Sequence, residues 1–213
     1  MKESRRIDVL MGVDLQIEKG DKIAIVGASG VGKTTLLHIM GTIERPSSGR
    51  IIYEGKDIFS LNNDGLAEFR NSNIGFVFQF QHLLPELNAL ENVMMPALIK
   101  GLLKREARGR AEEILREVGI ADRMRHKPGE LSGGEQQRIA IARALIMEPK
   151  AILADEPTGN LDRHTGRQIE DLLIDLNRKK EVTLIIVTHN QELAKRMSRQ
   201  FALVDGKAIP IER

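Results

Sequence analysis

Cysteine is absent from the 213 residues. That excludes disulfides, zinc–thiolate sites and thiol catalysis, while leaving the redox compartment open. Long apolar runs are also missing. A membrane-crossing helix needs roughly 20 mostly apolar residues, and the runs here, such as 151–154 and 184–187, are the size of strands. The chain is therefore expected to form no membrane pathway by itself. Its opening residues, Met1-Lys2-Glu3-Ser4-Arg5-Arg6, lead into no secretory core, which points to the cytoplasm. Charge of one sign is lacking too: 32 basic residues against 30 acidic leave a net +2, so no strong field for nucleic acid exists. No internal repeat or low-complexity segment interrupts the chain.

What is present is the balance of a folded globular domain, 41% hydrophobic and 29% charged. Its length suits one substantial α/β core. Short β-rich stretches at 23–26, 74–78, 152–154, 184–187 and 201–204 alternate with helical patterns, which predicts a mostly parallel sheet covered by helices. Their near-continuous apolar character fits strands buried on both faces. Between 83 and 131 the texture changes. Ala107, Ala111, Ile114, Leu115 and Val118 recur at helical spacing, and Pro128-Gly129 ends the pattern with a turn signal. The whole chain reads as a single domain, 1–213, with a small helical insertion at about 83–131.

The run Gly27-Ala28-Ser29-Gly30-Val31-Gly32-Lys33-Thr34 places two glycines around four residues, then Lys and Thr. It follows the strand at 23–26 and precedes an apolar helix at 36–40, the context that a phosphate-binding loop requires. Backbone N–H groups of such a loop turn inward, and the helix N-terminus adds positive potential. Lys33 would reach the β- and γ-phosphates of ATP, the Thr34 hydroxyl would ligate Mg2+, and Thr35 continues the nucleotide-binding run.

A second acidic element ends the strand at 152–154. Asp155 is placed to hold Mg2+ through water, and Glu156 to orient and polarise the water that attacks the γ-phosphate. Taken alone, two acids after a strand are as readily solvated loop residues. Beside the phosphate loop they read as its chemical complement. Ser132, Gly133, Gly134 and Glu135 then open another helix, with Ser132 a natural N-cap and the glycines leaving N–H groups exposed at a positive end.

At these residues the chain resembles the ABC ATPase family, whose signature motif is matched by Leu131-Ser132-Gly133-Gly134-Glu135-Gln136. The resemblance implies an α/β P-loop NTPase fold with an antiparallel edge β region and a helical subdomain. It implies that Gln79 senses the γ-phosphate and Mg2+ and contacts a membrane partner. Asp162, closing Gly159-Asn160-Leu161-Asp162, would end a loop that crosses between subunits, and His189 would be the switch histidine on the γ-phosphate. His38, His82, His126 and His164 lack that context and keep structural readings. One copy of each element implies a second ATPase subunit, since in the family one signature covers the ATP of another chain.

The segment from Phe78 to Val93 is similar to the lipoprotein-releasing ATPase group, which implies integral membrane permease partners, lipoprotein cargo handled indirectly, and a peripheral place on the cytoplasmic face of the inner membrane. Macrolide-efflux and cell-division ATPases share much of that segment. A soluble ABC ATPase of DNA repair or translation is a reading from another class, disfavoured by the single cassette without long arms. A nucleotide-binding regulator without turnover is opposed by Glu156. The stretch 83–87 reads either as a permease groove containing Glu86 or as internal packing. Two departures from the family stand out. Residues 1–20 hold no Phe, Tyr or Trp to stack on adenine, so either the start is cut short, together with part of a first edge strand, or apolar contacts hold the base. Val31 and Thr34 replace serines common in these ATPases, and Thr34 keeps the hydroxyl.

Overall fold

The computed structural model describes residues 9–212. In chain order its first half comprises β1 (Lys22–Val26), α1 (Lys33–Met40), β2 (Ile52–Tyr53), β3 (Lys56–Asp57), α2 (Asn63–Asn73), β4 (Ile74–Val77), α3 (Ala89–Ile99) and α4 (Lys104–Glu117). The second half comprises α5 (Gly133–Leu145), β5 (Ala151–Asp155), α6 (Arg163–Lys180), β6 (Thr183–Thr188), α7 (Gln191–Lys195), β7 (Arg199–Val204) and β8 (Lys207–Pro210).

Alternate residues of a strand point to opposite faces, and here both faces are buried. Ile23, Ile25, Leu153, Ile185 and Val187 form one layer with Leu36 and Leu37 of α1. Ala24, Val26, Ile152, Ala154, Leu184 and Ile186 form the other with Val93, Leu115, Ile139, Ile169 and Leu173 from α3 to α6. That double burial explains why these strands read as continuous apolar runs. The sheet runs β4-β5-β6-β1-β7-β8, parallel throughout except for β8, which returns antiparallel on β7. The hairpin turn between them, Asp205-Gly206, has positive φ at both residues, the geometry that matches strand twist. β2 and β3 make a separate antiparallel ribbon.

The mostly parallel sheet with an antiparallel edge is thus as expected, with shifted ends. The strand expected over 74–78 stops at Val77, because the Phe78 carbonyl accepts instead from Gln137 Nε2 at 3.2 Å. The helix after the phosphate loop starts at Lys33 rather than residue 36. No strand occurs over 9–20, and the remainder of the expected edge strand, 1–8, lies outside the described residues.

Within 83–131 lie α3, α4 and two short 3-10 turns, joined by irregular stretches such as 83–88 and 100–103. α3 begins in a capping box, with the Asn88 side chain accepting from Glu91 N–H and the Glu91 carboxylate from Asn88 N–H. α4 buries Ala107, Ala111, Ile114 and Leu115, and on its outer side Arg108 pairs with Glu112 and Arg110 with Glu106. Among the described residues, no helix is long and apolar enough to cross a membrane.

Candidate nucleotide site

The phosphate loop, Gln79, the acids at 155 and 156 and His189 follow the C-terminal ends of β1, β4, β5 and β6, where open α/β sheets bind ligands. β1 delivers Gly27, after which Ala28, Ser29 and Gly30 are exposed and Val31 is half-buried. Gly32 has φ 104°, left-handed backbone that a side chain resists. A Cβ there would also stand 2.7 Å from Val9 Cγ1, so an apolar N-terminal residue rests directly on the loop. Lys33 is buried, and its ammonium donates to the Gly27 and Ala28 carbonyls, both at 2.9 Å. The side chain therefore curls back over the loop, and the charge sits inside the cradle. Thr35 is half-buried on the first turn of α1.

The Thr34 hydroxyl donates to Asp155 Oδ2 at 2.9 Å across 121 residues of sequence. Two hard oxygen donors converge there, the kind of pair Mg2+ takes while keeping phosphate and water as its other ligands. Burial pushes the Asp155 carboxyl up, the Thr34 hydrogen bond opposes that, and the neighbouring Glu156 charge adds to it.

Glu156 follows at φ 43°, a left-handed conformation unusual for a residue with a side chain. Its N–H donates to the Val187 carbonyl at 2.9 Å, tying the turn to β6. Its carboxylate accepts from the His189 N–H at 2.8 Å and from His189 Nδ1 at 2.7 Å. Glu156 and His189, 33 residues apart, are thus in direct contact, with the imidazole 72% exposed. Oε2 accepts from Thr188 Oγ1 at 2.8 Å, a partner that sequence reasoning missed. A threonine at the end of a buried strand, directly before His189, was the available signal.

Gln79 donates through Nε2 to Asn160 Oδ1 at 3.0 Å, so the glutamine loop touches the 159–162 loop. Its backbone is held from α5: Gln137 donates to the Phe78 carbonyl, and Arg143 donates to those of Gln81 and His82. Burial draws the Arg143 guanidinium down from its ordinary value. Asp162 serves first as the N-cap of α6, Oδ1 accepting from His164 and Thr165 N–H at 3.0 Å each. A hydrogen bond from the Thr165 side chain, then the Thr165 N–H, holds its carboxyl below the usual range.

Ser132 caps α5, completing a capping box with Glu135. The Glu135 carboxylate accepts from Ser132 N–H and Oγ and from Arg123 Nε at 3.0 Å. The Ser132 backbone bond, then Arg123, lowers its pKa. Gly133 is exposed, while Gly134 is buried where a Cβ would meet Thr165 Cγ2 at 2.4 Å; only glycine lets α5 pack there on α6. Among the described residues, the hydrogen bonds of Ser132 and Glu135 stay within the motif or go to Arg123, and none reaches residues 27–34. The phosphate loop, Asp155, Glu156 and His189 form one connected group; the signature is a separate surface of the same chain.

The family model described as ABC transporter matches residues 10–159. The lipoprotein-releasing system ATP-binding protein LolD of Syntrophus aciditrophicus is 60% identical over 209 residues, covering 98% of this chain and 94% of its own. The protein of the same name from Geobacter metallireducens is 59% identical, covering 96% and 91%. Among solved structures, the dimeric bacterial ABC transporter cassette MJ0796 superposes with a TM-score of 0.88 at 41% identity, over 98% of this chain and 92% of that one. A dimeric post-hydrolysis state of that cassette, bound to ADP and Pi, gives 0.88 at 40% identity over the same shares of the two chains. With the phosphate loop, the paired acids and the signature helix in one cassette fold, the chain belongs to the ABC transporter family as an ATP-binding, ATP-hydrolysing subunit.

Proposed function

We propose that this chain powers a lipoprotein-releasing system, two copies closing on two ATP molecules beneath integral membrane permease subunits at the cytoplasmic face of the inner membrane. The observation that carries this reading is 60% and 59% identity over nearly the whole chain to proteins named for that system. The dimeric state of the solved relatives supports the pairing.

In this reading residues 27–35 cradle the phosphates through backbone N–H groups and the Lys33 ammonium. Thr34 and Asp155, with Gln79 through its side chain, would hold Mg2+, which would supply positive charge to the phosphate oxygens. Glu156 accepts a proton from the attacking water as the new P–O bond forms and the bond to the β,γ-bridging oxygen breaks, leaving ADP and phosphate. His189 moves from Glu156 to the γ-phosphate. Ser132, Gly133, Gly134 and Glu135 of one copy cover the ATP of the other, where the positive N-terminus of α5 suits an anion. Asp162, by capping α6, fixes the loop that passes between the copies. Val9 beside Gly32 supports apolar contacts as the means of holding adenine.

The helices over 83–131 act as a subdomain that meets the permease. Leu83 packs on the core while Leu84 and Phe80 are exposed, as is Glu86, so the segment is part packing and part free surface.

Replacing the native subunit with its Lys33→Ala form tests the assignment. Lipoproteins are expected to accumulate in the inner-membrane fraction. Normal sorting, with the variant confirmed present, would move the assignment to efflux or cell division and leave the ATPase intact.

A further inference from the structure

Of the groups that touch Glu156, one is fixed and has no role in the chemistry described above. Thr188 is the last residue of β6, 1% exposed, and paired in register with Val26 at the end of β1. Its hydroxyl has one proton and two lone pairs. The Asn190 N–H donates into that oxygen at 3.0 Å, so a lone pair is engaged, and the proton is directed to Glu156 Oε2 at 2.8 Å. Asn190 is itself immobilised as the N-cap of α7, its side chain accepting from Glu192 and Leu193 N–H. The orientation of the hydroxyl is therefore set by the sheet on one side and by a helix cap on the other.

The two carboxylate oxygens of Glu156 then differ. Oε2 is held by the buried hydroxyl. Oε1 is held by the His189 N–H and by an imidazole that is 72% exposed, with solvent on the side away from Glu156. When the imidazole leaves, Oε1 gains an open acceptor site for a water while Oε2 stays anchored. The left-handed backbone of Glu156 adds a reason for such an anchor, because a strained turn keeps one geometry only when its surroundings over-determine it. Val187 secures the backbone of that turn and Thr188 its side chain.

We propose that Thr188 is the positioning residue of the general base: its hydroxyl pins Glu156 Oε2 so that Oε1 faces the attacking water in one orientation. The inference rests on the reading of Glu156 as that base. Misplacing a reacting group by an ångström costs about 100-fold in rate. In the full-length protein, Thr188→Val is expected to lower kcat for ATP by about 10- to 100-fold while KM, and affinity for a fluorescent ATP analogue, change by less than about twofold. Thr188→Ser, which keeps the hydroxyl, should recover kcat to within about threefold of the parent. If the valine variant fails to fold, Thr188→Ala removes the same hydroxyl with less bulk and is read in the same way.

Unchanged kcat in Thr188→Val, a loss that appears in KM and nucleotide affinity instead, or a serine variant as slow as the valine one would each overturn the proposal. Glu156→Gln, assayed in parallel, separates the two layers. Turnover by Glu156→Gln at the parent rate removes the general-base reading itself, whereas an inactive Glu156→Gln beside a normal Thr188→Val removes only the role of Thr188.

Discussion

The Lys33 ammonium has two carbonyl partners at 2.9 Å, and both belong to the loop that would wrap phosphate. A carbonyl carries a partial charge and a phosphate oxygen a full one, so the same ammonium gains when nucleotide arrives. Lys33→Ala removes that gain where charge develops in the transition state, and ATP hydrolysis is expected to fall by roughly 100- to 1,000-fold, read as phosphate release. Tyr53 offers a residue-scale test independent of nucleotide. Burial, then the Glu54 charge, pushes its phenol up to about 12, and a spectrophotometric titration should place its ionisation there rather than near 10. A folded-state pKa above the unfolded one contributes stability that is complete below pH 10 and is lost as pH rises through about 12. Replacing Tyr53 with Phe should flatten that part of the alkaline stability curve; an unchanged slope would place the loss elsewhere.

At the scale of elements, the segment before α3 depends on one side chain. Asn92 is fully buried, accepts from Leu84 N–H, and donates to the carbonyls of Leu84, Leu87 and Asn88. Asn92→Leu removes the side-chain partner of the Leu84 N–H and the Leu87 carbonyl, while the Leu84 and Asn88 carbonyls keep only the Leu87 and Asn92 N–H groups, and it should lower stability by about 2–4 kcal/mol in denaturant unfolding, with protease sensitivity rising first between 83 and 88. Nothing in the sequence marks this role, since an asparagine within a helical pattern is ordinarily a surface residue. α4 was legible because its apolar positions repeat at helical spacing over 14 residues. The central strands were legible because burial on both faces leaves little polar interruption. α2 and the β2–β3 ribbon were not: α2 fully buries only Leu66, and the ribbon strands are two residues each, too short for a period. The site divides along the same line. Residues 27–34, the acids at 155 and 156 and the helix start at 132 are local patterns with local physics. Thr188 on Glu156, Arg123 on Glu135 and Gln137 on the Phe78 carbonyl join residues 32, 12 and 59 positions apart, and only the fold brings them together.

For the whole molecule, the decisive feature is that the phosphate loop and the signature are separate surfaces of one chain. Two copies related by a twofold axis can each offer the signature to the nucleotide of the other, the symmetry most common among soluble oligomers. Binding energy across such an interface exists while the γ-phosphate is held from both sides, and it falls once that group is released. Slowing hydrolysis without disturbing the cradle should therefore lengthen the closed state. Glu156→Gln is nearly isosteric and leaves the Lys33, Thr34 and Asp155 contacts in place, although its amide can no longer accept a proton from water. In buffer containing ATP and Mg2+, this variant should elute as a dimer in size-exclusion chromatography, with nucleotide retained, and return to monomer in ADP. Monomer alone under ATP would mean that the signature does not close on a second copy, and the paired-subunit mechanism would fail with it.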